Sequence, residues 1–286
     1  MSITSLKEKI KGIYVLAITP MKEDFSVDLD ALRRNINHFI EKGAHGIIVS
    51  GNYAEFPSLS KEERKQVYAT AAQAVAGRVP LICCTAASGT DEAIELTKAA
   101  KEVGADAVKV TPPYVHEVET KDILYHFQKL NDAVDIPIFI YNIASIKRTL
   151  SPVEIRELAK LDKVVGVKQG GTDLREIVQS FAEVGDKISI MAGSDSIILG
   201  ALASGLPGCT STNANFMVHE YVALYNEMQS GQWDKARARY YRWKPIWDLA
   251  RKYGQPAFVK AALDLVGLTG GAVRAPFQTL GDDARK

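Results

Sequence analysis

Lys168 sits in the short apolar run Val164-Val165-Gly166-Val167-Lys168-Gln169-Gly170, which is followed by a helical pattern. A run of this kind, bounded by glycine, reads as a buried strand that ends at a loop. Burial disfavours the charged ammonium and pulls its pKa down. A lysine partly neutral near pH 7 is a nucleophile, and its natural electrophile is a ketone or aldehyde. The plainer reading is a strand-end lysine that reaches water or a carboxylate, so the surrounding residue set must choose between them. Lys109, in Val108-Lys109-Val110-Thr111, is the rival amine. It lies mid-strand, and periodicity leaves open whether it points inward or toward a helix layer. Lys168 stands nearer the end of its strand and is the preferred candidate.

Short apolar runs at 12–19, 46–50, 79–85, 107–111, 136–141, 164–168, 188–192 and 208–212 alternate with amphipathic stretches. The helical patterns cover 29–42, 61–75, 91–103, 121–133, 152–161, 174–184 and 196–204. Start signals precede several of them: Ser60 before Glu62 and Glu63, Thr90 before Asp91 and Glu92, and Ser151-Pro152 before Glu154. Gly43, Gly104 and Gly205 follow as helix stops. This alternation predicts an α/β fold, a (β/α)8 TIM barrel, over residues 1–230. A doubly wound sheet would carry a phosphate-binding glycine fingerprint after its first strand, and Ile18-Thr19-Pro20-Met21 has none. Helical patterns at 218–229, 233–252 and 257–265 predict a C-terminal helical appendage, with residues 231–286 as a separate helical region.

In a barrel of this type, chemistry gathers at the C-terminal strand ends and the loops that follow. Those ends hold Thr19-Pro20, Ser50-Gly51-Asn52-Tyr53-Ala54-Glu55, Thr111-Pro112-Pro113-Tyr114, Tyr141-Asn142, Lys168, Gly193-Ser194-Asp195 and Thr210-Ser211-Thr212. The set offers an amine, phenols, hydroxyls and an amide, without a histidine base or a tight carboxylate cluster. It suits imine chemistry, in which lysine attacks a carbonyl, a phenol moves protons, and hydroxyls with backbone N–H groups hold a carboxylate.

The 286 residues are 47% hydrophobic and 24% charged, with net charge +1. That balance gives no basic field for nucleic acid, so an anionic substrate must be held by local groups. Cys83 and Cys84 lie in an apolar run and Cys209 stands alone, which points to a reducing compartment rather than a disulfide framework. His38, His45, His116, His126 and His219 show no metal-binding spacing, so neither a metal nor another cofactor is expected. The apolar run after Lys7, Lys9 and Lys11 is too short for a signal peptide and meets Pro20 and charges instead of a cleavage site. With no stretch of membrane-spanning length, the expected location is cytoplasmic.

Five segments carry a resemblance: Ala17-Ile18-Thr19-Pro20-Met21, Val110-Thr111-Pro112-Pro113-Tyr114, Tyr141-Asn142-Ile143, Gly166-Val167-Lys168 and Ala192-Gly193-Ser194-Asp195. Through them the chain resembles the pyruvate-dependent class I aldolase family that contains N-acetylneuraminate lyase and dihydrodipicolinate synthase, with a likeness to its 2-keto-3-deoxygluconate aldolases. The resemblance implies that Lys168 forms a Schiff base with pyruvate or another 2-oxo acid and that Tyr141 transfers protons beside it. It implies that Tyr114 reaches a neighbouring subunit's site, hence a homo-oligomer, a dimer or tetramer. Asn52, with the backbone near Tyr53, would bind the carboxylate, and Ser145, Ser194 and Thr210 would meet a hydroxylated tail.

Two departures qualify the match. The family's second-strand loop usually reads Gly-(Thr/Ser)-Thr-Gly-Glu, whereas this chain has Gly51-Asn52-Tyr53-Ala54-Glu55, so the bulky Tyr53 replaces the threonine of the proton relay. Glu55 reads as a loop-stabilising carboxylate. Dihydrodipicolinate synthases carry a carboxylate-gripping arginine shortly after the Tyr-Asn pair, and Ile146 stands at that count here; Arg148 substitutes only if the loop is displaced. The leading expectation is therefore a Schiff-base lyase of a 2-keto-3-deoxy sugar acid, giving pyruvate and an aldehyde. A dehydratase using the same imine, the demoted 4-hydroxy-tetrahydrodipicolinate synthase, a metal-dependent aldolase and a metabolite-binding barrel without turnover are the alternatives.

Overall fold

The structure is a computed structural model and describes residue 6 and residues 8–115, 117–143 and 148–285. The apolar runs become the strands β1 (Gly12–Leu16), β2 (Gly46–Val49), β3 (Leu81–Cys84), β4 (Ala107–Val110), β5 (Ile138–Asn142), β6 (Val164–Gln169), β7 (Ser189–Ala192) and β8 (Gly208–Ser211). They run in chain order and close into a barrel, the expected (β/α)8 architecture. Every residue of these strands is buried, which is why their sequences read as continuous apolar runs rather than alternating ones.

The chain groups into two compact units, residues 1–12 with 82–210, and residues 13–81 with 211–286. The first holds α3 (Thr90–Glu102), α4 (Thr120–Ala133), α5 (Pro152–Leu158), α6 (Leu174–Val184) and α7 (Ile198–Ala203). Its register aligns Cys84 with Lys109, Lys109 with Phe139, Phe139 with Gly166, and Gly166 with Ser189. Two residues further on, Tyr141 aligns with Lys168, Lys168 with Met191 and Met191 with Gly208. Parallel partners point to the same side of a sheet and side chains repeat every second residue. These positions therefore form two successive layers on one face.

The second unit holds β1, β2, α1 (Leu29–Glu41), α2 (Lys61–Val75) and the C-terminal helices α8 (Ala214–Gln229), α9 (Trp233–Arg242), α10 (Lys244–Tyr253), α11 (Ala257–Leu265) and α12 (Asp282–Arg285). The side chain of buried Asn215 accepts from Ile18 N and donates to the carbonyls of Leu16 and Thr212, tying the end of β1 to the start of α8. Tyr14 lies flat over Gly46, where a Cβ would meet its ring at 2.1 Å.

Most helix ends follow their sequence signals. Ser60 with Glu63, and Ser151 with Glu154, form reciprocal capping boxes. Gly43, Gly104 and Gly205 stand at φ between +86° and +92°, a region open to glycine without a Cβ clash. Two expectations need correction. Thr90 does not cap α3; Gly89 precedes the helix and the Thr90 hydroxyl bonds His126 Nδ1 at 2.9 Å. The stretch 233–252 is two helices rather than one, because Pro245 lacks an N–H and its ring cannot follow a preceding helical turn, so α9 ends at Arg242 and α10 restarts at Lys244. No helix among the described residues is long and apolar enough to cross a membrane.

Candidate active site

The site grows out of β5 and β6. Their register opposes Tyr141 to Lys168, and both are buried, at 2% and 5% exposure. Two glycines leave space for side chains of the two layers. A Cβ on Gly166 would come within 2.6 Å of the Phe139 ring in the layer below. A Cβ on Gly193, just past β7, would fall 2.3 Å from Lys168 Cε, so this glycine leaves the passage through which the lysine stem runs. Lys168 Nζ lies 4.8 Å from the Tyr141 ring centroid.

A second amine enters the same space. Lys109 is fully buried, and its Nζ lies 3.9 Å from the same ring centroid. Its direction is thus settled by contact: it faces the Tyr141–Lys168 layer. Among the described residues its ammonium has no hydrogen-bond partner. Burial pushes the Lys168 ammonium down to about 7, with the Lys109 charge adding to the effect and Asp195 opposing it. Burial likewise lowers Lys109, to about 8. The first group is thus substantially a free amine at neutral pH, beside a phenol able to carry a proton, in a setting that excludes water.

The neighbours on the other strand positions are structural. Asn142 donates to Leu150 O and to Gln169 Oε1, and accepts from Leu150 N; Gln169 in turn donates to Ser180 Oγ. This network holds the ends of β5 and β6 together and leaves Tyr141 and Lys168 to the opposite face.

The remaining candidates stand as follows. Tyr114 is half-buried in the loop that continues β4. Ser194 opens the 3-10 turn Asp195–Ile197, with its hydroxyl 3.0 Å from that of Ser196. Thr210 is buried in β8, and among the described residues its hydroxyl has no hydrogen-bond partner. In the second unit, Asn52 begins the 3-10 turn Asn52–Ala54 and is half-buried, while Tyr53 is 41% exposed. Ser145, and Ile146 at the arginine count, lie outside the described residues.

Glu55 keeps the structural role expected of it. It takes a left-handed conformation at φ 61° and is buried in an ion pair with Lys260 of α11 at 2.6 Å, and it accepts from Arg274 N at 2.8 Å. The sequence offers no sign of this partner, because Lys260 sits in the apolar helix Ala257–Leu265, over two hundred residues away. Arg148 is also committed: it pairs with Glu154, donates to Thr120 Oγ1 at 3.0 Å and to Val118 O at 3.3 Å. Among the described residues no cluster of three or more His, Cys, Asp or Glu side chains could hold a metal ion.

A family model for the dihydrodipicolinate synthetase family matches residues 9–286. The chain is 34% identical over 279 residues to a 4-hydroxy-tetrahydrodipicolinate synthase of Methanoculleus marisnigri, covering 96% of this chain and 95% of that protein. Its structure is similar to a crystal structure of dihydrodipicolinate synthase from Aquifex aeolicus, with TM-score 0.91, 31% identity and coverage of 96% and 94%. It is also similar to a chloride-inhibited dihydrodipicolinate synthase from Acinetobacter baumannii complexed with pyruvate, with TM-score 0.92, 28% identity and coverage of 96% and 95%.

Proposed function

The chain belongs to the dihydrodipicolinate synthetase family, a family of pyruvate-dependent Schiff-base lyases, and from that premise we propose that it makes or breaks a C–C bond of a 2-oxo acid through an imine on Lys168. The observation that carries this reading is the placement of Lys168, buried and in register with Tyr141, with its Nζ 4.8 Å from the centroid of that ring.

In the cleavage direction, Lys168 Nζ attacks the C2 carbonyl and the carbinolamine loses water to give a protonated imine. Tyr141 takes the proton from the C4 hydroxyl as the C3–C4 bond breaks, and its electron pair moves into the imine as an enamine. An aldehyde leaves, C3 of the enamine takes up a proton, and hydrolysis returns the amine and releases pyruvate. The same steps reversed join pyruvate to an aldehyde.

For the aldehyde half we favour a 2-keto-3-deoxy sugar acid, with Ser194 and Thr210 toward its hydroxylated tail. Arg148 is engaged by Glu154, Thr120 and Val118, which leaves it poorly placed to grip a second carboxylate. The second reading, 4-hydroxy-tetrahydrodipicolinate synthase, is favoured by the name of the relative that is 34% identical. Tyr114 and a homo-oligomer belong to the proposal, as does a cytoplasmic location.

The test is intact-mass analysis after incubation with pyruvate and borohydride, followed by peptide mapping. A pyruvyl adduct on Lys168, absent from Lys168→Ala, supports the imine; an adduct elsewhere, or none on folded protein, rejects it. Product analysis with sugar acids against aspartate semialdehyde then separates the two readings.

A further inference from the structure

The amine that the proposed reaction does not use is the most unusual group in the first unit. Lys109 is 0% exposed, and among the described residues its Nζ meets no acceptor. A buried cation without a partner is costly, and the substitution of an apolar side chain would relieve that cost. Its Nζ lies 3.9 Å from the Tyr141 ring centroid, and that ring is shared with Lys168.

We propose that Lys109 is a positioning residue of the imine reaction: its buried ammonium, against the ring that Lys168 also faces, keeps Lys168 in the free-amine form that attacks the 2-oxo acid. The inference rests on the reading of Lys168 given above and adds to it a group that raises the free-amine fraction of Lys168 near neutral pH.

Geometry separates the roles of the two amines. Lys109 aligns with Phe139, one layer below the Tyr141–Lys168 pair, and reaches upward with its stem. Lys168 begins in the upper layer and passes the open side of Gly193. A carbonyl carbon that meets the pair from the strand ends encounters Lys168 first. Two ammonium groups confined to one ring cannot both be charged cheaply, so the pair holds one proton over a range of pH near neutrality. Lys109, whose Nζ lies 3.9 Å from the ring centroid against 4.8 Å for Lys168, has the closer cation–π contact and is the member that keeps it. The groups that face the pair from the packed elements of this unit are Cys84 on β3, Tyr141 on β5 and Asp195 in the turn after β7. Asp195 pulls Lys168 toward its charged form, so the Lys109 charge works against it.

The same charge helps later in the cycle. When the protonated imine forms on Lys168 it places a second cation beside the first. Collapse to the neutral enamine, which is the bond-breaking direction, removes that repulsion.

The experiment is a pH titration by NMR of protein carrying lysine labelled with 13C at Cε, with Lys168 and Lys109 assigned through Lys168→Met and Lys109→Met. In the wild-type protein Lys168 is expected to titrate below Lys109; the opposite order overturns the proposal. In Lys109→Met the Lys168 midpoint is expected to rise by about one pH unit, which lowers the free amine about tenfold below the midpoint. Borohydride trapping of pyruvate should slow by the same factor at acid pH and match wild type at high pH, where Lys168 is neutral in either protein. Lys109→Arg, which keeps the charge, should restore the wild-type midpoint. An unmoved Lys168 midpoint in folded Lys109→Met overturns the proposal whether or not pyruvate is trapped. A Lys168 midpoint that depends on Lys109, with no pyruvyl adduct at any pH, rejects the imine function and leaves the lysine pairing standing.

Discussion

Tyr141 and Lys168 are direct partners in the parallel register of β5 and β6, and the lysine Nζ lies 4.8 Å from the tyrosine ring centroid. Backbone pairing therefore places the two groups side by side. Neither depends on a mobile loop for its position, which is the arrangement that gives reproducible geometry for proton transfer.

Tyr141→Phe removes the phenol and keeps the ring that both lysines face. The pyruvyl adduct should still form under borohydride, whereas exchange of pyruvate methyl protons with deuterated water should slow by about 10²–10⁴-fold, the usual worth of a positioned acid–base group. Exchange at the wild-type rate would assign the proton transfer to another residue.

Gly193→Ala tests the passage for the lysine stem. The new methyl would stand 2.3 Å from Lys168 Cε and 2.9 Å from Gln169 O, so the stem and the backbone beside it must both give way. Trapping of pyruvate should fall about a hundredfold, the cost of roughly an ångström of misplacement, and the melting temperature should drop. Undiminished trapping would mean that the stem has another route.

Lys109→Met should stabilise the protein at neutral pH. The folded-state value of Lys109, about 8, is below that of an unfolded lysine, so between the two the unfolded chain holds more protons and stability rises with pH. Below pH 8 the burial penalty is complete, at about 3 kcal/mol given about 1.4 kcal/mol per pKa unit. The variant's advantage in urea unfolding should be near that size at pH 7 and fade toward pH 10. An advantage independent of pH would trace to packing and not to the charge.

Lys260→Met leaves Glu55 as a buried carboxylate without its counter-charge. Breaking one side of such a pair costs about 3–5 kcal/mol. The double variant with Glu55→Gln should recover much of that loss, since it removes the stranded charge. Equal destabilisation in single and double variants would show that the pair contributes mainly through packing.

The strand positions and most helix positions were legible because each strand is a short buried run and most helices carry a cap or stop residue; the 3-10 turns Asn52–Ala54 and Phe56–Ser58 and the short helix Asp282–Arg285 were not. The errors had local causes. The Thr90 hydroxyl was claimed by His126, thirty-six residues away in sequence, and the break at Pro245 was present in the sequence but masked by a continuous helical period on both sides. The Tyr141–Lys168 pair could be anticipated because both residues end consecutive strands. The Glu55–Lys260 pair could not, since it joins a loop to a helix whose composition reads as core.

The sequence by itself determined the barrel, the strand-end address of Lys168 and Tyr141, and the resemblance that the family model matches over residues 9–286. These are local properties, carried by apolar runs, turn residues and short motifs. Only the tertiary structure decided which way Lys109 points. A mid-strand side chain has two faces to choose from, and a one-residue change of register exchanges them. The register of β4 on β5 fixes that choice, sets Lys109 against the Tyr141 ring, and turns a rival of Lys168 into its neighbour.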